Sequence, residues 1–219
     1  MRLSLVAACS GLCAGVACGG TSPSPAPQPA RQTERTAAVQ RDTAQIPVGL
    51  GTLRQEDIAI VLQPEGVHAE AFPLDESVLR TLAPDSYRTL RARLDASRAQ
   101  IAQRAAMRGI RNPQVWFLRF YGLAPDARFV PTDITVSSAG REFRPFDVIP
   151  ISAGFGTQRL QPRETQTGLL LFDEGLDVSQ PFVVSMGSER NTDWDGILRR
   201  IDAERAAIRG RAGAKAQRP

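Results

Sequence analysis

Residues 19–45 cannot join a hydrophobic core, and this limits which part of the chain can fold. The segment is dense in Pro, Ser, Thr, Gln and Ala and has almost no large apolar side chain. Such a composition buries too little apolar surface to offset the entropy of ordering the backbone. We predict a disordered linker with a reach of roughly 30 Å. One folded domain is expected over residues 46–209, and a disordered tail over residues 210–219.

The first 18 residues have the composition of a secretory signal. Arg2 supplies a positive charge, and Leu3 to Val16 is an uncharged, mostly apolar run that is too short to span a bilayer. The sequence Gly15-Val16-Ala17-Cys18 resembles the lipobox of bacterial lipoprotein precursors. This resemblance implies that residues 1–17 are a signal peptide, that a signal peptidase cuts before Cys18, and that Cys18 is the site of lipid attachment.

Two other cysteines compete with Cys18 for this role. Cys9 follows Val6-Ala7-Ala8, which also fits a lipobox, but it leaves only Leu3 to Ala8 as the apolar segment. That segment is shorter than the usual length of roughly 7 to 15 residues, although a misassigned start codon would reverse the preference. Cys13 follows Leu12, where the pattern requires a small residue. We therefore favour Cys18 and keep Cys9 as the alternative.

Few signatures of catalysis occur after Cys18. No cysteine follows it, which excludes a disulfide, a thiolate metal site and a cysteine nucleophile in the predicted domain. His68, the one histidine, cannot form a zinc cluster, and we expect it to be a surface or hydrogen-bonded residue. Gly154-Phe155-Gly156 is not a nucleotide fingerprint, and the single lysine, Lys215, belongs to no phosphate loop. We predict no catalytic residue, no cofactor and no metal.

Carboxylates are the remaining candidates for chemistry. The group Asp173, Glu174 and Asp177, and the pair Asp193 and Asp195, have the side chains needed for acid–base catalysis or for binding Ca²⁺. A helix start also explains the second pair, because acidic residues are favourable at a helix N-terminus. Glycoside hydrolysis needs two carboxyl groups facing each other across a cleft. These residues carry the alternative hypothesis of a hydrolase.

The first half of the domain is predicted to hold a hairpin and two helices. The hairpin joins strands at Asp57–Leu62 and Gly66–Phe72. Asp75 is expected to cap a short helix, and a longer helix is expected from Pro84 to about Gly109. An apolar stripe along the longer helix, which predicts packing against the domain, consists of Tyr87, Leu90, Leu94 and Ile101.

The second half has the alternation and turns of short strands. In the first of them, Arg119 indicates the wetter face, shared with Phe117 and Tyr121, so that Trp116, Leu118 and Phe120 should point into the core. A final helix is expected from Thr192 to Gly210, with an apolar face of Trp194, Ile197, Leu198, Ile201 and Ile208. The predicted strands are Gln114–Tyr121, Thr132–Ser137, Glu142–Ile151, Thr167–Phe172 and Phe182–Met186.

Residues 114–186 resemble the immunoglobulin-like domains of secreted bacterial proteins and lipoproteins. The resemblance rests on an apolar strand leading to a hairpin closed by Gly140 with Phe143 after it, and on a turn at Pro162 that feeds the strand ending at Phe172. It implies a mainly β chain. The expected fold is an immunoglobulin-like β-sandwich of about seven strands, with a helical insertion at about 75–109 and a C-terminal helix.

Charge is segregated along the chain, whose net charge is +4. Residues 80–111 hold eight Arg against Asp85 and Asp95, a net charge of +6, and residues 199–219 have a net charge of +5. We expect solvated helix faces. The alternative is that the Arg-rich helix docks on anionic lipid headgroups. No nucleic-acid partner is expected outside the cytoplasm.

Together these features predict a non-catalytic, lipid-anchored cell-envelope protein that binds or supports another envelope component, either a protein or a glycan. Its membrane contact would be the lipid anchor. Gly19 after the cysteine implies, by the same resemblance, the outer membrane in a Gram-negative envelope, facing the periplasm or the cell surface. The alternative is a carboxylate-dependent hydrolase that acts on envelope glycan.

Overall fold

The computed structural model describes residues 46–216. The predicted signal peptide, Cys18 and the linker lie outside the described residues, as do residues 217–219 of the predicted tail. The strands are β1 (Ile60–Leu62), β2 (Val67–Pro73), β3 (Gln114–Gly122), β4 (Ala127–Arg128), β5 (Ile134–Ser138), β6 (Arg141–Phe143), β7 (Asp147–Pro150), β8 (Arg159–Leu160), β9 (Thr165–Phe172), β10 (Phe182–Met186) and β11 (Glu189–Asn191). The helices are α1 (Gln55–Ile58), α2 (Glu76–Leu79), α3 (Pro84–Met107) and α4 (Trp194–Ala216).

The strands form three antiparallel sheets. The first has the order β1-β2-β3-β9-β7, the second β11-β10-β5-β6, and the third pairs β4 with β8. Side chains of the first two sheets meet in one core: the ring centroid of Trp116 on β3 lies 5.2 Å from that of Phe182 on β10. Phe182 in turn stacks on Trp194 at 4.5 Å. The prediction of a mainly β chain with a C-terminal helix is therefore confirmed.

The register predicted for β3 is correct, with one exception. Trp116, Leu118 and Phe120 are fully buried, and Arg119 and Tyr121 lie on the wetter face. Phe117 was expected on that wetter face but is also fully buried. The reason is that α3 covers this part of the sheet, with the Arg93 guanidinium 5.0 Å from the centre of the Phe117 ring.

The helical insertion occurs where the sequence predicts it. Asp75 caps α2 by accepting a hydrogen bond from the Ser77 amide at 2.8 Å. Pro84 begins α3, and Gly109, with a φ of +70°, follows its last turn. Leu90 and Ile101 are buried in the core. Several of the helix arginines are used within the protein, because Glu76, Asp95 and Asp147 pair with Arg91, Arg98 and Arg104, respectively.

Helix α4 differs from its prediction at both ends. It begins at Trp194, two residues after the predicted start, and Asp193 precedes it with its carbonyl accepting from the Ile197 amide at 3.0 Å. It continues through Gly210 to Ala216, so the tail from residue 210 is helical rather than disordered as far as Ala216. Ala, Arg and Lys after Gly210 are strong helix formers, and Arg211 pairs back with Glu204.

Two predictions about strands are wrong. Glu142–Ile151 is not one strand, because β6 belongs to the second sheet and β7 to the first. Pro145, between them, cannot donate a ladder hydrogen bond, and here the chain crosses from one sheet to the other. The short strands β4, β8 and β11 were not predicted, so the described chain has eleven strands where about seven were expected.

Residues 46–54, called here the N-terminal segment, are held against the helices. The Glu204 carboxylate on α4 accepts hydrogen bonds from the Thr52 amide at 2.9 Å and the Thr52 hydroxyl at 3.0 Å. Arg80 donates to the Ile46 carbonyl at 3.0 Å, and Leu53 forms a parallel bridge with Leu82. The chain therefore enters the domain beside α2 and the second half of α4.

Candidate functional site

A groove opens at one end of the first sheet, where three connections between strands converge. Its walls are the β1–β2 turn, the β3–β4 loop and the β10–β11 turn, and its volume is about 490 Å³. This volume is within the range of ligand pockets. The apolar part of the lining consists of Pro64, Ala124, Pro125, Ala127, Phe129, Val130 and Met186.

Two large apolar side chains are exposed at this groove. Val130 lines it and is 39% exposed, and Leu123, immediately before the lining residue Ala124, is 57% exposed. Burying a side chain of this type contributes about 1.5–3 kcal/mol. Exposed apolar side chains that cluster, rather than occur singly, mark interaction surfaces. The groove is therefore the best candidate for a binding site among the described residues.

Backbone contacts fix the shape of the groove. The amides of Leu123 and Ala124 both donate to the Gly66 carbonyl, at 2.9 and 3.3 Å. Gly66 has a φ of +71°, and a Cβ there would lie 3.2 Å from the Cβ of Ala124. Asp126 also adopts a left-handed conformation and pairs with Arg159 on β8 at 3.2 Å. These contacts hold the two loops together, so the groove is preformed.

The charged residues of the groove favour a basic partner. Its lining includes the carboxylates Glu65, Asp126 and Asp133 and one guanidinium, that of Arg128. Asp126 is paired with Arg159, whereas Glu65 and Asp133 are exposed and form no ion pair with a described residue. A ligand that combines an apolar side chain with a positive charge fits this lining.

A polar cluster lies on the outer face of the first sheet, beside α1 and the start of α3. His68 Nε2 is 3.2 Å from Glu70 Oε1, and Arg119 Nη1 is 3.2 Å from Glu70 Oε2. Arg119 Nη2 also donates to Gln55 Oε1 at 3.2 Å. Glu70 and Arg119 are cross-strand partners, and a pair of this kind stabilises a solvated sheet face. His68 is thus a hydrogen-bonded, partly exposed residue, as the sequence predicts.

The acidic residues after β9 are placed as turn-forming groups. Asp173 accepts a hydrogen bond from the Gly175 amide at 2.9 Å, and Asp177 accepts from the Ser179 amide at 2.9 Å. Glu174 is exposed. Hydrogen bonds from an Asp side chain to the amide two residues later are typical of turns. These hydrogen bonds account for the presence of aspartate at positions 173 and 177.

Asp193 and Asp195 line a different cleft, of about 460 Å³, between α1 and the start of α4. Glu56 and Asp57 lie in the same lining, so carboxylates of two elements come together here. Asp57 accepts from the Arg54 amide at 2.8 Å, Asp193 accepts from the Asn191 side-chain amide at 3.0 Å, and Asp195 pairs with Arg199. No grouping of acidic or histidine residues within the described range is arranged to hold a metal ion.

The predicted lipid-attachment residue Cys18, and its alternative Cys9, lie outside the described residues. Among residues 46–216, no helix is both long and apolar enough to cross a membrane. Comparisons with protein families, with curated proteins and with solved structures found no match to this chain.

The groove is the part of the site that the sequence did not predict. Leu123 to Asp126 follow the predicted strand Gln114–Tyr121 and contain none of the motifs considered in the sequence. Leu123, followed by Ala124 and Pro125, was the only signal and a weak one, because single exposed apolar side chains are common on protein surfaces. The partners of this loop, Gly66 and Met186, come from distant parts of the chain, and no local pattern connects them.

Proposed function

We propose that this chain is a lipid-anchored cell-envelope protein that binds another envelope component through the groove. The anchor is Cys18, and residues 19–45 connect it to the domain. The partner is an envelope protein that inserts an apolar side chain flanked by a positive charge. The protein itself is non-catalytic in this proposal.

The observation that carries the proposal is the position of the groove relative to the N-terminal segment. Along β2, Val67 pairs with Gly122 at one end and Pro73 pairs with Trp116 at the other. The groove adjoins the first end, since Gly66 and Ala124 line it. The N-terminal segment contacts residues 80–83, which follow the second end. Seven residues of strand separate these ends by roughly 20 Å, so a tether attached at Ile46 leaves the groove unobstructed.

An immunoglobulin-like sandwich is the finer fold assignment that we propose. Two antiparallel sheets that share one core, and hairpin connections between successive strands, support this assignment. In immunoglobulin-like domains, loops gathered at one end of the sandwich form binding surfaces. The groove, which is built from three connections at one end of the first sheet, has the equivalent position.

Photo-crosslinking in native membranes tests the binding site. A photoreactive amino acid replaces Val130, which lines the groove, or Leu123, which directly precedes the lining residue Ala124. The matched control replaces Met107, which is 64% exposed and lies at the end of α3, away from the groove lining. We expect Val130 and Leu123 to give the same crosslinked partner and Met107 to give none.

An introduced charge completes this experiment. With the crosslinker at Val130, Leu123→Arg should abolish the crosslink, because a guanidinium replaces the apolar contact and repels the positive charge of the partner. A partner captured equally from Met107, or a crosslink unchanged by Leu123→Arg, would contradict the proposed site.

The cleft between α1 and α4 supports a second candidate function, the hydrolysis of envelope glycan. Its carboxylates face one cleft, as acid–base catalysis requires, although Asp57 and Asp193 already accept hydrogen bonds within the protein. Incubating the purified protein with peptidoglycan decides between the two functions. We expect no turnover; hydrolysis that disappears in Asp57→Asn or Asp193→Asn would establish the enzyme instead.

A further inference from the structure

The last three turns of α4 form a cationic surface. Residues 205–216 contain Arg205, Arg209, Arg211 and Lys215 and no carboxylate. Arg209, Arg211 and Lys215 are exposed, whereas Ile208 between them is fully buried and holds this part of the helix on the domain. Two carboxylates precede the surface: the buried Glu204 pairs with Arg211, and the exposed Asp202 pairs with Arg205. The exposed charge of this helix end is therefore positive.

This cationic surface lies beside the point where the chain enters the domain. Glu204, one residue before the surface begins, binds Thr52 through two hydrogen bonds. Arg205 donates to the Ser77 carbonyl on α2 at 3.0 Å. Arg80, which directly follows α2, donates to the Ile46 carbonyl of the N-terminal segment. Val48, within the N-terminal segment, is 48% exposed. Positive charge and an exposed apolar side chain thus occur together at the end of the domain that the tether reaches.

We propose that the cationic surface of α4 docks on the anionic lipid surface of the membrane that holds the anchor. This inference rests on the proposed function, since the anchor supplies the membrane. Lysine and arginine are attracted to anionic headgroups only within about one Debye length, roughly 8 Å at physiological salt. The sequence of residues 19–45 predicts a reach of roughly 30 Å, and a tether of that length would keep the surface at a high effective concentration near the lipid, so that a few charges suffice.

Docking at this surface orients the molecule. Three contacts give the direction of α4. Asn191, shortly before the helix, donates to the Val61 carbonyl. Within the helix, Arg200 donates to the Asp57 carbonyl and Glu204 accepts from the Thr52 amide, so the helix leads away from the groove. With its last turns on the lipid, the groove faces away from the membrane. The same cations also offset the dipole at the helix C-terminus, but that role gives no dependence on lipid charge.

Lys215 provides the measurement because it is the only lysine in the chain. The full-length lipidated protein is reconstituted in vesicles of phosphatidylcholine, with or without about one-third phosphatidylglycerol. The rate at which an amine-reactive reagent labels Lys215 is then followed by peptide mapping. We expect labelling to be about fivefold slower on the anionic vesicles. About 1 M NaCl, which shortens the Debye length to about 3 Å, should restore the rate.

An amine at the groove serves as the matched control. Arg128→Lys keeps the charge of an exposed groove residue and adds a second reactive amine at the other end of the domain. Its labelling should be the same on both vesicles. Equal rates at Lys215 on neutral and anionic vesicles, or protection of the control amine instead, would overturn the docking proposal. Retention of the protein on neutral vesicles reports the anchor separately, so failure of the anchor and failure of docking are distinguishable.

Discussion

Among single residues, Leu118 tests the register of β3 most directly. It is fully buried, and its neighbours in register are Ala71 on β2 and Gly168 on β9. Neighbours this small cannot fill the space left by a lost side chain. Leu118→Ala should therefore lower the free energy of unfolding by about 2–5 kcal/mol in a urea titration. Leu123→Ala, at an exposed site, should change it by no more than about 0.5 kcal/mol. Equal midpoints for the two variants would show that the register is wrong.

Tyr87 gives a pH dependence to the contact between α2 and α3. Its hydroxyl donates to Glu76 Oε1 at 2.9 Å. Burial, followed by the hydrogen bond to the Glu76 carboxylate, raises the pKa of Tyr87 above its usual value of about 10. A pKa raised by folding means that the stabilisation is complete below the unfolded pKa and is lost as pH rises through the folded pKa.

The corresponding variant is Tyr87→Phe, which removes the hydroxyl and keeps the ring. At pH 8 it should lower the free energy of unfolding by about 1 kcal/mol. This difference from the wild type should shrink as the pH increases above about 10. Chemical denaturation at a series of pH values measures it, and a difference that stays constant up to pH 12 would contradict the assigned hydrogen bond.

At the residue scale, the wetter face of β3 could be predicted from the sequence because a single side chain marks it. Arg119 is the only charged residue in Gln114–Gly122, and the face that it marks is the wetter one. Phe117 shares that face but is buried, because α3 lies over it. Strand alternation contains no information about a helix that packs on the sheet from elsewhere in the chain. The contact of Glu76 with Tyr87 and Arg91 was also unpredictable, because it joins side chains of two different helices.

At the scale of elements, the N-terminal segment depends on a close backbone approach at Gly51. A Cβ at this position would lie 2.3 Å from the Thr81 carbonyl oxygen and 2.4 Å from that of Leu82. Gly51→Ala must therefore move the segment away from the α2–α3 connection. We expect a loss of about 1–3 kcal/mol in the free energy of unfolding, measured by thermal or urea denaturation.

Gly213 is the matched control for this substitution. It lies in α4, and a Cβ added there would meet no neighbouring atom within 4 Å. Gly213→Ala should leave stability unchanged or raise it by up to about 1 kcal/mol, because alanine is the better helix former. A Gly51→Ala protein as stable as Gly213→Ala would show that the N-terminal segment is not docked as described.

Elements with a strong periodicity were predictable, and short ones were not. Helix α3 follows from Pro84, Gly109 and its apolar stripe, and all three features are confirmed. Strands of two or three residues, such as β4 and β8, are too short to show alternation. Gly210 was expected to end α4, but glycine commonly ends a helix by adopting a positive φ, and Gly210 does not adopt one.

At the scale of the whole molecule, the chain has different surfaces at its two ends. The groove is apolar with an acidic rim, and the opposite end combines the N-terminal segment with the cations of α4. The groove could not be predicted from the sequence, because it joins residues that are far apart along the chain. The positive charge of residues 199–219 was visible in the sequence, but its position beside the N-terminal segment was not. Gly66, Ala124 and Met186 meet only when both sheets have formed. The sequence predicted the type and approximate position of the longer elements but not which ends of the strands would lie together.

Lipid attachment at Cys18 is the central claim, because the tether, the orientation of the groove and the docking of α4 all depend on it. Metabolic labelling with a palmitate analogue, followed by membrane fractionation, tests it on three proteins: the wild type, Cys18→Ser and Cys9→Ser. We expect the wild type and Cys9→Ser to be labelled and membrane-bound. Cys18→Ser should be unlabelled and should no longer fractionate with the membrane. Labelling that persists in Cys18→Ser and disappears in Cys9→Ser would contradict the assignment and move the anchor to Cys9.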